Sequence, residues 1–184
     1  MFFIPGFVIA ALTFPGVIIH EAGHLFFCRL FKLQVFDVCF FRFGNPAGYV
    51  VHQEIQDFRA QFFVSMGPFF ANTLLCAIFC TTAFLPVWEL KVFDPLAYFF
   101  YWLGLSIGMH AFPSTVDLSH LWAQAPRLAR KGNVLAIVSL PIAALLVVLN
   151  YGRVIWADLG YGLAVGVFAP IAIFRALALI GIGA

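Results

Sequence analysis

The sequence predicts an all-α polytopic membrane protein with about five transmembrane helices and a small membrane-associated β-hairpin between the first two helices. Of its 184 residues, 64% are hydrophobic, 18% are aromatic and only 10% are charged, which lies far outside the usual composition of soluble proteins. The apolar residues form runs of about the 20 residues that a helix needs to cross a bilayer. After the first run, a Gly-Asn-Pro-Ala-Gly turn separates two segments that are rich in β-branched and aromatic residues, which favour strands.

Short polar or Pro/Gly-marked breaks divide the apolar residues into five predicted spans. These cover 2–31, 59–85, 96–115, 133–150 and 154–178. The first run has no cationic start and no small-residue cleavage pattern, so we expect it to be kept as a span. The predicted organisation is one membrane domain over 1–184, in which a core over 1–120 is followed by a surface segment and two accessory helices over 121–184.

The basic residues predict how these spans are oriented. Seven of them lie in or beside the first and third connections: Arg29, Lys32, Arg42, Arg59, Arg127, Arg130 and Lys131. The alternate connections contain only Lys91 and Arg153. The positive-inside rule therefore predicts an outside N-terminus and a cytosolic C-terminus. The apolar composition predicts the lipid bilayer as a partner, whereas the net charge of +2 and the lack of a basic block with interleaved aromatics argue against a nucleic acid.

Two shorter segments are expected at the cytosolic surface. The connection over 33–57 is predicted to form a β-hairpin, with strands near Val35–Phe43 and Gly48–Gln53. Its faces are too apolar for water, so we expect it to lie in the membrane interface. The segment over 118–131 combines Trp122 with basic residues, which suits a short amphipathic helix on the same surface.

The first apolar run contains the sequence His-Glu-Ala-Gly-His from His20 to His24. On a helix the two histidines lie one turn apart on one face, where both can coordinate one Zn²⁺, and Glu21 can activate water there. Ionisable side chains are costly in hydrocarbon and usually serve a function. The pattern therefore predicts one zinc ion bound within the membrane.

A third ligand has to reach the depth of the histidine pair. Arg29 marks the cytosolic end of the first span and follows His20 by nine residues, which is about 14 Å along a helix. The third predicted span also ends at the cytosolic boundary. Pro113 interrupts that span because it cannot donate a helical hydrogen bond, and irregular backbone at this depth is expected to line a hydrated cavity. Asp117 is the predicted third ligand, with His120 and His110 as alternatives.

Three sequence blocks, in order over roughly residues 14–120, resemble the site-2 protease family of intramembrane zinc metalloproteases. The first is 14–28, which contains the His-Glu-x-x-His pattern. The second is 65–72, Ser-Met-Gly-Pro-Phe-Phe-Ala-Asn, which is similar to the family's Gly-Pro-x-x-x-Asn element. The third is His110-x-x-Pro113 followed by Asp117, which resembles the family's Asn-x-x-Pro segment leading to Leu-Asp-Gly.

The third block departs from the family pattern in three ways. His110 replaces the asparagine, the spacing from Pro113 to Asp117 is one residue shorter than the commonest pattern, and Leu118 stands where glycine is expected. The connection over 86–95 is too short for an extracytosolic regulatory domain. The resemblance is therefore to a compact member of the family.

The resemblance implies a zinc metalloendopeptidase that hydrolyses peptide bonds in or near transmembrane segments on the cytosolic side. His20, His24 and Asp117 would hold one Zn²⁺, and Glu21 would act as general base on the zinc-activated water. The substrate would be a membrane protein or peptide, which the hairpin could hold as an added strand. The implied substrate-binding residues are Gly67, Pro68, Asn72 and His110.

Other interpretations remain open at this point. Asn72 also suits a hydrogen bond between helices, and the hairpin also suits a passive membrane anchor. The altered third block is compatible with a pseudoprotease that binds membrane peptides without cleaving them. A metal or solute transporter is a further alternative, although the remaining spans offer few acidic residues except Asp158.

Overall fold

The computed structural model describes residues 6–181 and is mostly helical, as predicted. Residues 2–5 of the first predicted span lie outside the described residues. A π-helical turn, Leu85–Glu89, prolongs the helix Phe58–Phe84, and a 3₁₀ turn, Gly152–Ile155, joins the helices Val134–Tyr151 and Ala157–Leu179. In chain order the elements are α1 (Gly6–Leu12), α2 (Phe14–Leu30), β1 (Val35–Cys39), β2 (Tyr49–His52), α3 (Phe58–Phe84), α4 (Pro95–Met109), α5 (Thr115–Ala129), α6 (Val134–Tyr151) and α7 (Ala157–Leu179).

Two groups of helices meet along α3. The first half of α3 packs against α2 and α5, and α5 packs against α6. The second half of α3 packs against α4 and α7, around the buried side chains of Cys76, Cys80 and Tyr101. We call α2, residues 58–71, α5 and α6 the hairpin-side bundle, and residues 72–84, α4 and α7 the far bundle. The candidate site lies where the two bundles join.

Helix α7 runs beside α3 in the same direction. Near its start the hydroxyl of Tyr161 lies 2.7 Å from that of Thr73, and further along the ring of Phe174 lies 6.0 Å from that of Phe84. The end of α7 therefore lies near the end of α3, opposite the hairpin. The predicted orientation of the two termini across a membrane stays a prediction.

The course of α6 accounts for this arrangement of α7 beside α3. Helix α6 packs chiefly against α5, whereas α7 packs against α3 and α4. The two consecutive helices therefore meet end to end, and do not reverse as two adjacent membrane spans would. An apolar run shows that a segment is long enough to span, but not whether the next run turns back.

The prediction of five spans is not confirmed. Within residues 6–181, three helices are long and apolar enough to cross a membrane: α3 with its π-helical turn, α6 and α7. The pair α1 and α2 would make a fourth only as one bent span, since the two helices meet at an angle of 86°. Pro15 lies in the first turn of α2, where proline starts a helix readily. Helix α4 has only 15 residues.

The predicted hairpin is confirmed, with shorter strands than expected. Strands β1 and β2 are antiparallel, and Cys39 pairs with Tyr49 next to the turn. The guanidinium of Arg42 lies 5.0 Å from the centre of the Tyr49 ring, and its Nε donates to Pro46 O at 3.0 Å. These contacts hold the turn, which contacts α2 at the candidate site.

Candidate metal centre

Helix α2 presents the three ionisable residues of the His-Glu-x-x-His pattern to the interior. His20, Glu21 and His24 have exposed fractions of only 9%, 9% and 7%. Nδ1 of His24 lies 2.9 Å from Val64 O. Because a carbonyl only accepts, Nδ1 carries the proton, and Nε2 keeps the lone pair that a metal requires.

The predicted break at Pro113 is confirmed, and it positions Asp117. Helix α4 ends at Met109 and α5 begins at Thr115. Ser114 caps α5: its backbone N–H and its hydroxyl donate to Oδ2 of Asp117 at 2.9 and 2.6 Å, and Asp117 N donates back to Ser114 Oγ at 3.1 Å. This reciprocal cap holds the carboxylate with Oδ2 3.6 Å from His24 Nε2.

The spacing of these atoms could hold one metal ion. The Nε2 atoms of His20 and His24 are 3.2 Å apart, and one ligand atom from each of His20, His24 and Asp117 lies within 4.8 Å of the other two. Zinc–nitrogen bonds of about 2.0–2.1 Å in a tetrahedral site place neighbouring ligand atoms about 3.3 Å apart. Three protein ligands also leave a fourth position for water or substrate, as in catalytic zinc sites.

The two alternative ligands lie elsewhere. Over residues 6–181, the group able to hold a metal consists of His20, His24 and Asp117. His120 is exposed on α5. His110 lines the neighbouring cavity, but its Nε2 lies 2.8 Å from Thr13 Oγ1 at the bend between α1 and α2.

A cavity of about 600 Å³ adjoins the three ligands and is lined by α2, the hairpin turn, the break between α4 and α5, and the connection between α6 and α7. Its size is typical of sites that bind small ligands or short peptide segments. Glu21 lines it together with Gly48. A Cβ atom on Gly48 would lie only 2.6 Å from Glu21 Cγ, so the hairpin turn packs directly on the predicted general base.

The polar residues of this cavity that sequence reasoning missed include Tyr49, His52 and Arg153. The Tyr49 hydroxyl donates to Asp37 Oδ2 at 2.9 Å, and this hydrogen bond to a carboxylate raises the pKa of Tyr49. Arg153 was predicted to lie in a connection on the opposite side of the membrane. The feature of the sequence that could have drawn attention to Arg153 was its position between two apolar runs.

Asn72 lies among the helices, completely buried. Its Nδ2 donates to Ile107 O at 3.2 Å and His110 O at 3.1 Å, with a longer contact to Gly16 O at 3.4 Å. One side chain thus joins α2, α3 and the end of α4. This contact pattern is that of a hydrogen bond between helices, and the substrate-binding role stays a prediction.

Gly67 and Pro68 lie at the contact between α2 and α3. A Cβ atom on Gly67 would overlap the ring of Phe27. A Cβ atom on Gly23, within the His-Glu-x-x-His pattern, would lie 3.2 Å from Pro68 Cα. These small or flat residues bring the two helices close together, so that Val64 on α3 can reach His24. Their predicted contact with substrate also stays a prediction.

In comparisons with known proteins, no protein-family model matches this chain, and no curated protein and no solved structure matches it.

Proposed function

We propose that this protein is an intramembrane zinc metalloendopeptidase that cleaves membrane-embedded peptides on the cytosolic side. The observation that carries the proposal is the convergence of His20, His24 and Asp117 on one cavity that Glu21 also lines. Two histidines, a carboxylate ligand and a separate buried carboxylate are the parts that metal-assisted hydrolysis requires.

The chain's own residues have distinct tasks in this reaction. When bound, Zn²⁺ supplies a Lewis acid that polarises the scissile carbonyl and lowers the pKa of water. Glu21 takes a proton from the attacking water and gives it to the leaving nitrogen as the C–N bond breaks. The Val64 carbonyl orients His24, and Ser114 orients Asp117. The hairpin turn limits the access of bulk water to Glu21.

Large apolar side chains on the outer faces of the helices support the membrane location. Phe70 and Leu74 on α3 and Phe168 on α7 have exposed fractions of 46%, 61% and 68%. Apolar surface on this scale suits lipid contact better than water. A helical substrate has to unwind locally before its scissile amide reaches the ligands, so segments with helix-weakening residues should be cleaved preferentially.

The proposal is tested by measuring bound zinc and peptide cleavage in the same purified samples. The substrates are labelled apolar peptides with and without a central Gly-Pro pair, reconstituted with the protein in nanodiscs. We expect Glu21→Gln to keep its zinc and to lose cleavage by at least about a hundredfold, as general-base removal typically does. We expect Asp117→Ala to lose both zinc and cleavage.

His120→Ala is the matched control, because it removes an exposed imidazole near Asp117 that lies outside the metal group. It should keep both zinc and cleavage. Zinc lost in His120→Ala but kept in Asp117→Ala would overturn the ligand assignment. Zinc bound with the expected ligands, but no product formation by the wild type above that of Glu21→Gln and of samples without protein, would overturn the protease proposal and favour a pseudoprotease.

A further inference from the structure

The connection between α6 and α7 donates two hydrogen bonds to the break between α4 and α5. Nδ2 of Asn150 donates to Pro113 O at 2.9 Å. Nη2 of Arg153 donates to Phe112 O at 3.0 Å. Two polar side chains, three residues apart, thus hold two consecutive carbonyl groups.

These carbonyl groups precede the helical ladder of α5. The first helical hydrogen bond there runs from Leu118 N to Ser114 O, one residue after Pro113. Phe112 and Pro113 are both buried, and a buried carbonyl without a partner costs about 1–3 kcal/mol. Asn150 and Arg153 therefore supply partners where the interrupted backbone needs them.

The held segment leads directly into the cap that orients the third ligand. Ser114 follows Pro113, and both its backbone N–H and its hydroxyl donate to Asp117 Oδ2. A shift of Pro113 would move Ser114, and a shift of Ser114 would move the carboxylate relative to His24. A chain of hydrogen bonds thus links the α6–α7 connection to a ligand atom.

We propose that Asn150 and Arg153 are positioning residues of the metal centre, which increase its affinity for zinc by fixing the carbonyl groups of Phe112 and Pro113. This inference rests on the proposed zinc site. It gives the C-terminal helices a role in the site, although the resemblance to the protease family covers only roughly residues 14–120. Neither residue coordinates the metal in this proposal.

The test is the zinc dissociation constant of the purified full chain in nanodiscs, measured by competition with a chromogenic chelator. Asn150→Leu and Arg153→Met keep the approximate side-chain size and remove the N–H donors. We expect each to weaken zinc binding about 10- to 100-fold, as is typical when partners of metal ligands are removed. Arg153→Lys keeps a long side chain with an N–H donor and should restore most of the affinity.

The direction of the Arg153→Met effect separates positioning from charge. Removal of a positive charge near a bound cation would by itself strengthen zinc binding, because like charges repel. Weaker zinc binding by Arg153→Met would therefore show that losing the hydrogen bond has a larger effect on affinity than losing the positive charge. Stronger or unchanged binding would overturn the proposal for Arg153.

Asn133→Leu is the matched control at the other end of α6. Asn133 also makes a side chain–backbone hydrogen bond, since its Oδ1 accepts from Ala136 N at 3.1 Å, but it lies away from the metal ligands. We expect this variant to lower the melting temperature and to keep the wild-type zinc affinity. If Asn150→Leu behaves in the same way, Asn150 has only a structural role and the proposal fails for it.

The same titration separates this inference from the proposed function. A wild-type protein that binds no zinc under conditions where it is folded would overturn the metal site and everything that rests on it. If the wild type binds zinc and the His24→Ala variant does not, the metal site is supported. Equal affinities for Asn150→Leu, Arg153→Met and the wild type would then overturn the positioning role alone.

Discussion

At the scale of single residues, Asp117 is both a helix-cap residue and a candidate ligand. Its Oδ2 accepts two hydrogen bonds from Ser114 and lies 3.6 Å from His24 Nε2. A carboxylate oxygen has lone pairs for both kinds of partner. The local sequence Ser-Thr-Val-Asp at the start of α5 therefore serves helix formation and ligand orientation together.

Ser114→Ala should weaken both the N-terminal cap of α5 and the orientation of Asp117 as a metal ligand. It removes the 2.6 Å hydrogen bond from the Ser114 hydroxyl to Asp117 and the acceptor for Asp117 N. We expect a loss of about 1 kcal/mol in unfolding free energy, typical of a lost N-cap, and about tenfold weaker zinc binding. Ser119→Ala is the control, because its hydroxyl donates to Val116 O on the same helix. Equal zinc affinity in both variants would refute the orienting role of Ser114.

Gly48→Ala should reduce cleavage while leaving zinc in place. Its Cβ would lie 2.6 Å from Glu21 Cγ and 3.0 Å from Phe40 O, so either the turn or the glutamate has to move. A small displacement of a general base typically costs about a hundredfold in rate. Gly44→Ala, in the same turn, places its Cβ 3.7 Å from the nearest atom and should behave as wild type. Full activity in Gly48→Ala would show that the turn does not constrain Glu21.

At the scale of elements, the far bundle depends on close approach between helices. Cys76 and Cys80 on α3 are fully buried, and their sulfur atoms lie where α4 and α7 carry glycines: Gly104, Gly108 and Gly166. Small residues at such contacts let helices pack closely without lipid between them. The thiols therefore fill the space that the glycines leave.

Gly104→Ala should destabilise this packing. Its Cβ would lie 2.6 Å from Cys80 Sγ, 3.1 Å from Cys80 N and 3.2 Å from Cys76 O, and the two backbone atoms cannot move aside. We expect a loss of about 1–3 kcal/mol, typical of an overpacked interior, measured by reversible denaturation in mixed micelles. Gly160→Ala has open space around its Cβ and should be neutral or slightly stabilising, because alanine favours helix. Equal stability of the two variants would contradict the close contact.

At the scale of the whole molecule, patterns local in sequence were the predictable part. The His20 and His24 pair, the break at Pro113 and the hairpin each follow from spacing or residue type within a few positions. The grouping of Asp117 with the pair followed because Pro113 marks where the backbone leaves the helix. The positions of Arg153 and the end of α7 did not follow, because they depend on long-range packing of α7 beside α3, which composition and charge counting do not encode.

The relative sides of three exposed positions test the arrangement of the whole chain in the membrane. Lys91 follows the π-helical turn, Leu179 ends α7, and Lys131 precedes α6. Because α7 runs in the same direction as α3, we expect single cysteines at Lys91 and Leu179 to react with a membrane-impermeant maleimide from one side, and one at Lys131 from the other. The background carries serine at the four native cysteines, and its zinc content serves as the folding control. Labelling of Leu179 from the same side as Lys131 would contradict the end-to-end course of α6 and α7 and support the orientation that the charge pattern predicts.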